Sequence, residues 1–183
     1  MQLDVPVAAP PDLPLLLDIN CAWDSVAEAT KFCADVSPMN IGWVEEPVWP
    51  PEDFGALAAT RSSATCPIAA GENLGGPEDF RRLLASGAVD FVQPSVTKHG
   101  GVSAMLEVIA MARDAGVCVA PHSPYFAPGL LATLHLLAAV DEEQPIEIYF
   151  ADLATPIYGS ALEPRDGYIA VPQAPGLGLE PAI

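Results

Sequence analysis

Ile41-Gly-Trp-Val-Glu-Glu-Pro-Val-Trp-Pro-Pro-Glu-Asp53 is the stretch that decides the fold. Its first residues run apolar into Glu45, as a strand covered on both faces should. Prolines at 47, 50 and 51 stop a ladder from continuing. Pro51-Glu-Asp53 then reads as the opening of a helix, with proline in the first turn and acids near the positive end of the helix dipole. The unit is a strand, an acid at its end, a turn and a helix.

The same unit recurs in both directions. Upstream, Leu15-Leu-Leu-Asp-Ile-Asn20 reads as a strand, Asp24 as an N-cap, and Ser25 to Val36 as a helix with apolar residues at helical spacing. Downstream come a strand over Pro67 to Glu72, a helix opened by Pro77-Glu-Asp79 and stopped by Gly87, and a strand over Val89 to Gln93. A helix over Val102 to Ala115 closes at Gly116. Val117 to Ala120 forms the fifth strand, Pro128 to Val140 a helix, and Ile146 to Phe150 the sixth strand. Strands alternating with helices imply an α/β fold with a parallel sheet. Residues 1–14 hold four prolines and read as an irregular lead. Residues 15–150 form the repeating body, and residues 151–183, rich in Pro and Gly, form a tail with one short hairpin.

Composition excludes several classes of function. The 183 residues carry 24 acids against 7 bases, a formal charge of -17, too few cations to neutralise nucleic-acid phosphates or to settle on an anionic membrane. No apolar run approaches the roughly 20 residues that span a bilayer. Met1 to Pro14 contain no base, which excludes a signal or transit peptide at that end. Cys21, Cys33, Cys66 and Cys118 form no C-x-x-C pair. They read as reduced thiols, which implies a cytoplasmic location. No dinucleotide or P-loop glycine pattern occurs.

Asp18, Glu45 and Glu72 follow one another at intervals of 27 residues, about the length of one strand-helix unit. Each therefore falls at the C-terminal end of its own strand, on the edge where parallel α/β folds bind ligands. Three carboxylates gathered there repel one another unless a cation lies between them, and all-oxygen ligation suits Mg²⁺. Ser95, His122 and Glu147 continue the series of strand ends. His122, in Ala120-Pro-His-Ser-Pro124, is the candidate general base or acid. His135, inside an apolar helix, reads as structural, and His99 carries no assigned role.

These residues resemble the enolase superfamily, in its mandelate racemase and muconate-lactonizing branch. The matching stretches are Leu17-Asp-Ile-Asn20, Trp43-Val-Glu-Glu-Pro47, Ala70-Gly-Glu-Asn73, Gln93-Pro-Ser-Val-Thr-Lys-His-Gly-Gly101, Ala120-Pro-His-Ser123 and Pro172-Gln-Ala-Pro-Gly-Leu-Gly178. The resemblance implies an incomplete parallel TIM-type (β/α) barrel, about six of its eight units. It assigns Asp18, Glu45 and Glu72 as ligands of a Mg²⁺ cofactor and His122 as the catalytic histidine. Asn20, Ser95, Lys98 and Glu147 become the substrate-side residues, with Tyr149 an alternative to Glu147. The family chemistry is removal of a proton α to a carboxylate, and a single candidate base suits a sugar-acid dehydratase better than a two-base racemase. A racemase or cycloisomerase, a non-catalytic remnant and an interaction module are the competing readings.

Two departures shape the expectation. Ser95 stands where the family places an acid beside its histidine or, in other branches, a lysine base, and the chain starts just before the third strand, without the cap or the first two strands. The expected behaviour of the chain by itself is metal binding with little turnover, and self-association through exposed sheet edges.

Overall fold

The computed structural model describes residues 12–126, 128–140, 145–151 and 154–182. Its strands are β1 (Leu15–Asp18), β2 (Ile41–Glu45), β3 (Ile68–Ala70), β4 (Phe91–Val92) and β5 (Cys118–Val119). They lie side by side in chain order, every neighbouring pair parallel. The helices that join and follow them are α1 (Val26–Val36), α2 (Phe54–Ser63), α3 (Pro77–Ala85), α4 (Gly101–Ala115) and α5 (Pro128–Ala139). This is the expected α/β arc of a barrel.

Alternation along the strands separates two layers. Val44, Ile68, Ala70, Val92 and Val119 are buried in the main core with Ala29 and Cys33 of α1, Leu57 of α2, Phe80 and Leu83 of α3 and Val108 of α4. Trp43 and Ala69 form a smaller cluster on the other face with Ala120 and Phe91, and the Trp43 and Phe91 rings lie 4.9 Å apart. Burial on both faces explains why the strands carry so little polar alternation. Leu16 pairs with Trp43 and Asp18 with Glu45 in the β1–β2 ladder. Paired residues on parallel neighbours point to the same face, so both acids face the inner side of the arc.

Several boundaries differ from the sequence reading, each for a local reason. The α1 N-cap is Ser25, not Asp24: the Ser25 hydroxyl accepts the Glu28 N–H and donates to the Glu28 carboxylate, a reciprocal cap. Pro51 lies in a turn, and α2 begins after Asp53, whose carboxylate accepts the Ala56 N–H. Pro77 does open α3, and Gly116, at φ 68°, closes α4 in the left-handed region that glycine enters freely.

The sixth strand does not form, so the described sheet has five strands where the sequence suggested six. Instead, the Ser123 hydroxyl accepts the Glu147 N–H (3.1 Å) and donates to the Glu147 carbonyl (3.0 Å). One side chain thus satisfies the backbone groups that a ladder neighbour would have met. The lead at residues 1–11 lies outside the described residues. In the tail, Arg165 and Tyr168 exchange backbone bonds around Asp166 and Gly167, both at positive φ, which makes the expected short hairpin. A 3₁₀ turn, Gly159–Leu162, precedes it. His135 on α5 meets the Leu177 carbonyl at 3.1 Å, tying the tail to that helix, which agrees with its structural reading. No helix among the described residues is long and apolar enough to cross a membrane.

Candidate metal centre

Asp18 and Glu45 end β1 and β2 in register, while Glu72 and His122 lie just past β3 and β5. All four therefore occupy the C-terminal edge of the sheet. Glu45, Glu72 and His122 each offer a ligand atom, and these atoms lie within 4.8 Å of one another. Asp18 is not a member of this tight group. Its carboxylate turns back on its own loop, accepting the Asn20 N–H at 2.8 Å and the Asn20 amide at 3.3 Å. Asn20 is held at φ 53°, a conformation that asparagine tolerates better than most residues.

Burial and crowding set the electrostatics. The Glu45 carboxyl is pushed up to about 7, first by burial and then by Asp18 and Glu72, against bonds from Gln93 and Trp43 that favour its charged form. The Trp43 indole N–H donates to it at 3.1 Å. Glu72 is held below the usual carboxylate range. Burial pushes it upward, but His122, Lys98 and Asn73 outweigh that effect. The Lys98 ammonium stands 3.9 Å from Glu72. His122 Nδ1 is in close contact with the Glu72 carboxylate and lies 3.5 Å from that of Glu147. The two carboxylates thus both lie on the Nδ1 side of the ring. Glu147 is raised by burial, and its carboxylate accepts the Ser123 N–H at 3.2 Å.

The donor set fits a hard divalent cation. Glu45 and Glu72 converge, Asp18 faces the same side one strand away, and Glu45 sits among like charges that a cation would relieve. A cavity of about 270 Å³, lined in part by Asp18, Glu45, Gln93 and Glu147, opens beside them.

The other expected residues divide. Lys98 and Glu147 join the group, whereas Tyr149 packs with Phe126 and Phe150 in an aromatic cluster and lines a different cavity. Ser95 is buried and bonds to Tyr125 and Thr97.

The sequence reading passed over Trp43 and Gln93, which hold Glu45, and over Glu46. Glu46 is 1% exposed and bridges the Gly71 N–H (2.8 Å) and the Cys21 thiol (3.3 Å), joining the loops after β1, β2 and β3. Trp43 shares a strand face with Glu45, which was a usable signal. Gln93 ends the fourth strand, another usable one.

An arc of parallel strands carrying carboxylates on its C-terminal rim defines the class: a TIM-type barrel portion with a cation-competent edge. The chain belongs to the enolase C-terminal domain-like family, whose profile matches residues 5–182. A D-galactarolactone cycloisomerase from Agrobacterium fabrum is 32% identical over 180 residues, covering 93% of this chain and 47% of the relative. The crystal structure of an L-talarate dehydratase from Polaromonas sp. JS666, complexed with Mg and L-glucarate, superposes with a TM-score of 0.81 at 32% identity. That match covers 94% of this chain and 46% of the other. A mandelate racemase/muconate lactonizing enzyme from the same organism gives a TM-score of 0.79 at 33% identity, over 92% and 44% of the two chains. The relatives place the chain in the mandelate racemase and muconate-lactonizing branch of the superfamily, and it spans about half of their length.

Proposed function

We propose that this chain supplies the catalytic rim of a Mg²⁺-dependent sugar-acid dehydratase, with His122 transferring a proton at the carbon α to the substrate carboxylate. The observation that carries the reading is the convergence of Glu45, Glu72 and His122 on one edge, with Asp18 in register beside them. Asp18, Glu45 and Glu72 would hold the cation. A bound Mg²⁺ supplies neutralisation of the charge that develops on the carboxylate oxygens as the proton leaves.

The chain's own groups do the remaining work. Nδ1 of His122 faces Glu72 and Glu147, which leaves Nε2 as the nitrogen for a substrate proton. Lys98, partly exposed beside Glu72, is placed to meet an anionic group of the substrate, and exposed Asn20 adds to the polar margin, whereas Ser95, buried behind it, does not reach a substrate. A dehydratase needs the same histidine, once protonated, to return its proton to the departing hydroxyl. A cycloisomerase is the second reading, favoured by the 32% identity to D-galactarolactone cycloisomerase.

Calorimetric titration with Mg²⁺ tests the metal half: the chain binds, and Glu72→Ala abolishes binding. Turnover of L-talarate, L-glucarate and D-galactarolactone tests the chemistry. His122→Ala retains Mg²⁺ binding and loses whatever turnover the unaltered chain shows, and lactone conversion without acid dehydration selects the cycloisomerase. No Mg²⁺ binding at millimolar concentration overturns the reading.

A further inference from the structure

Ser95 is fully buried, and each of its polar groups is engaged. Its N–H donates to His99 Nδ1 at 2.7 Å, and buried His99 stands edge-on to Phe80, so the serine backbone is fixed. Its hydroxyl bonds to the Tyr125 hydroxyl and lies 3.1 Å from the Thr97 hydroxyl. The Tyr125 ring in turn stands edge-on to the His122 imidazole, with centroids 5.9 Å apart and planes at 84°. Gly129, near the start of α5, makes this packing possible. A Cβ there would come within 2.8 Å of Thr97 Cγ2 and 3.1 Å of Tyr125 Cδ2.

We propose that Tyr125, tethered through its hydroxyl to Ser95, is a positioning residue that fixes the His122 ring. The inference rests on the reading of His122 as the proton-transfer group. A histidine χ2 torsion is broad and two-fold, so the backbone alone does not aim the ring. Glu72 and Glu147 hold Nδ1 from one side and leave the opposite side of the ring to other neighbours. The Tyr125 ring packs at a right angle to the imidazole, and its tether keeps the phenol in that place. A ring held in this way presents Nε2 in one direction, which is what proton transfer requires of it.

Proton–carbon NMR of the three histidine rings tests the tether with the chain as it is, and needs neither metal nor turnover. A failure of the proposed function therefore leaves the result intact. His122 is assigned by its loss in His122→Ala, and His135, held by the Leu177 carbonyl, serves as the control. The expected results are cross-relaxation between the His122 and Tyr125 ring protons, a shift of the His122 signals in Tyr125→Phe and in Ser95→Ala, and no further shift in the double variant. His135 stays put throughout. Each substitution removes one oxygen atom, and either decides the question if the other does not fold. Gly129→Ala, which presses on Tyr125 from α5, is expected to move the same signals. Unchanged His122 signals in the folded variants overturn the proposal, as does a shift in Tyr125→Phe without one in Ser95→Ala.

Discussion

Single residues carry more of the site than their types announce. Asp18, Glu45, Glu72 and His122 were legible because one repeat length places each at a strand end, and strand ends share an edge. Glu46 was not legible, since strict alternation would send it away from Glu45. Its φ of 43° breaks the strand and turns the carboxylate onto the Gly71 N–H instead. Tyr125 was invisible for a different reason: its partner Ser95 is 30 residues away, in another loop. The four thiols also separate by environment. Cys118 is exposed, whereas Cys33 is fully buried and its thiol is pushed up to about 12 by burial and by Cys66. A group raised on folding stabilises the fold fully below its unfolded value, near 9, and loses that contribution as pH rises toward 12. We expect iodoacetamide at pH 8 to label Cys118 first and Cys33 only on unfolding, and stability to fall above about pH 9 with a slope that Cys33→Ala reduces. Peptide mass mapping and urea titrations across pH check both. Early labelling of Cys33 would contradict the burial argument.

At the scale of elements, the lower end of the sheet is held by one acid. The Asp90 carboxylate accepts two bonds from Arg61 of α2, at 2.7 and 3.0 Å, and one from the Ile68 N–H that begins β3, at 2.9 Å. Arg61 also reaches the Gly87 carbonyl after α3. Asp90 thus fastens a helix, a strand and a turn. Asp90→Ala should cost about 1–3 kcal/mol, because a strand N–H loses its charged partner. Arg61→Ala should cost about 1 kcal/mol or less, because its guanidinium remains partly hydrated. Urea denaturation measures both. Equal losses would mean that the Ile68 bond contributes nothing. The missing sixth strand belongs to this scale too. Ile146 to Phe150 has the apolar composition of a strand, but composition does not reveal that a serine hydroxyl will take the ladder's place, or that Phe150 will stand 90% exposed.

For the whole molecule, charge and exposed apolar surface oppose each other. In the described sheet β1 pairs only with β2 and β5 only with β4, which leaves two open ladders. Leu16, Phe126, Tyr149 and Phe150 are exposed, the last three in one aromatic cluster. Such edges and patches favour self-association, while a net charge of -17 resists it. Salt screens the second effect and spares the first, so association should increase with ionic strength. Sedimentation velocity at micromolar concentration, from low to high salt, checks this, and Phe150→Ser should weaken the association. A monomer at every ionic strength would show that the edges are inert.

The strict succession of β1 to β5 across the sheet bears on how the chain comes to be folded. Every ladder joins neighbours in sequence, so no strand must wait for a distant partner or be inserted between two already in place. Each strand-helix unit leaving the ribosome can add to an arc already assembled, in one direction and without rearrangement. Each ladder closes a loop of one strand-helix unit, so growth proceeds unit by unit, each step carrying the closure cost of a single crossover.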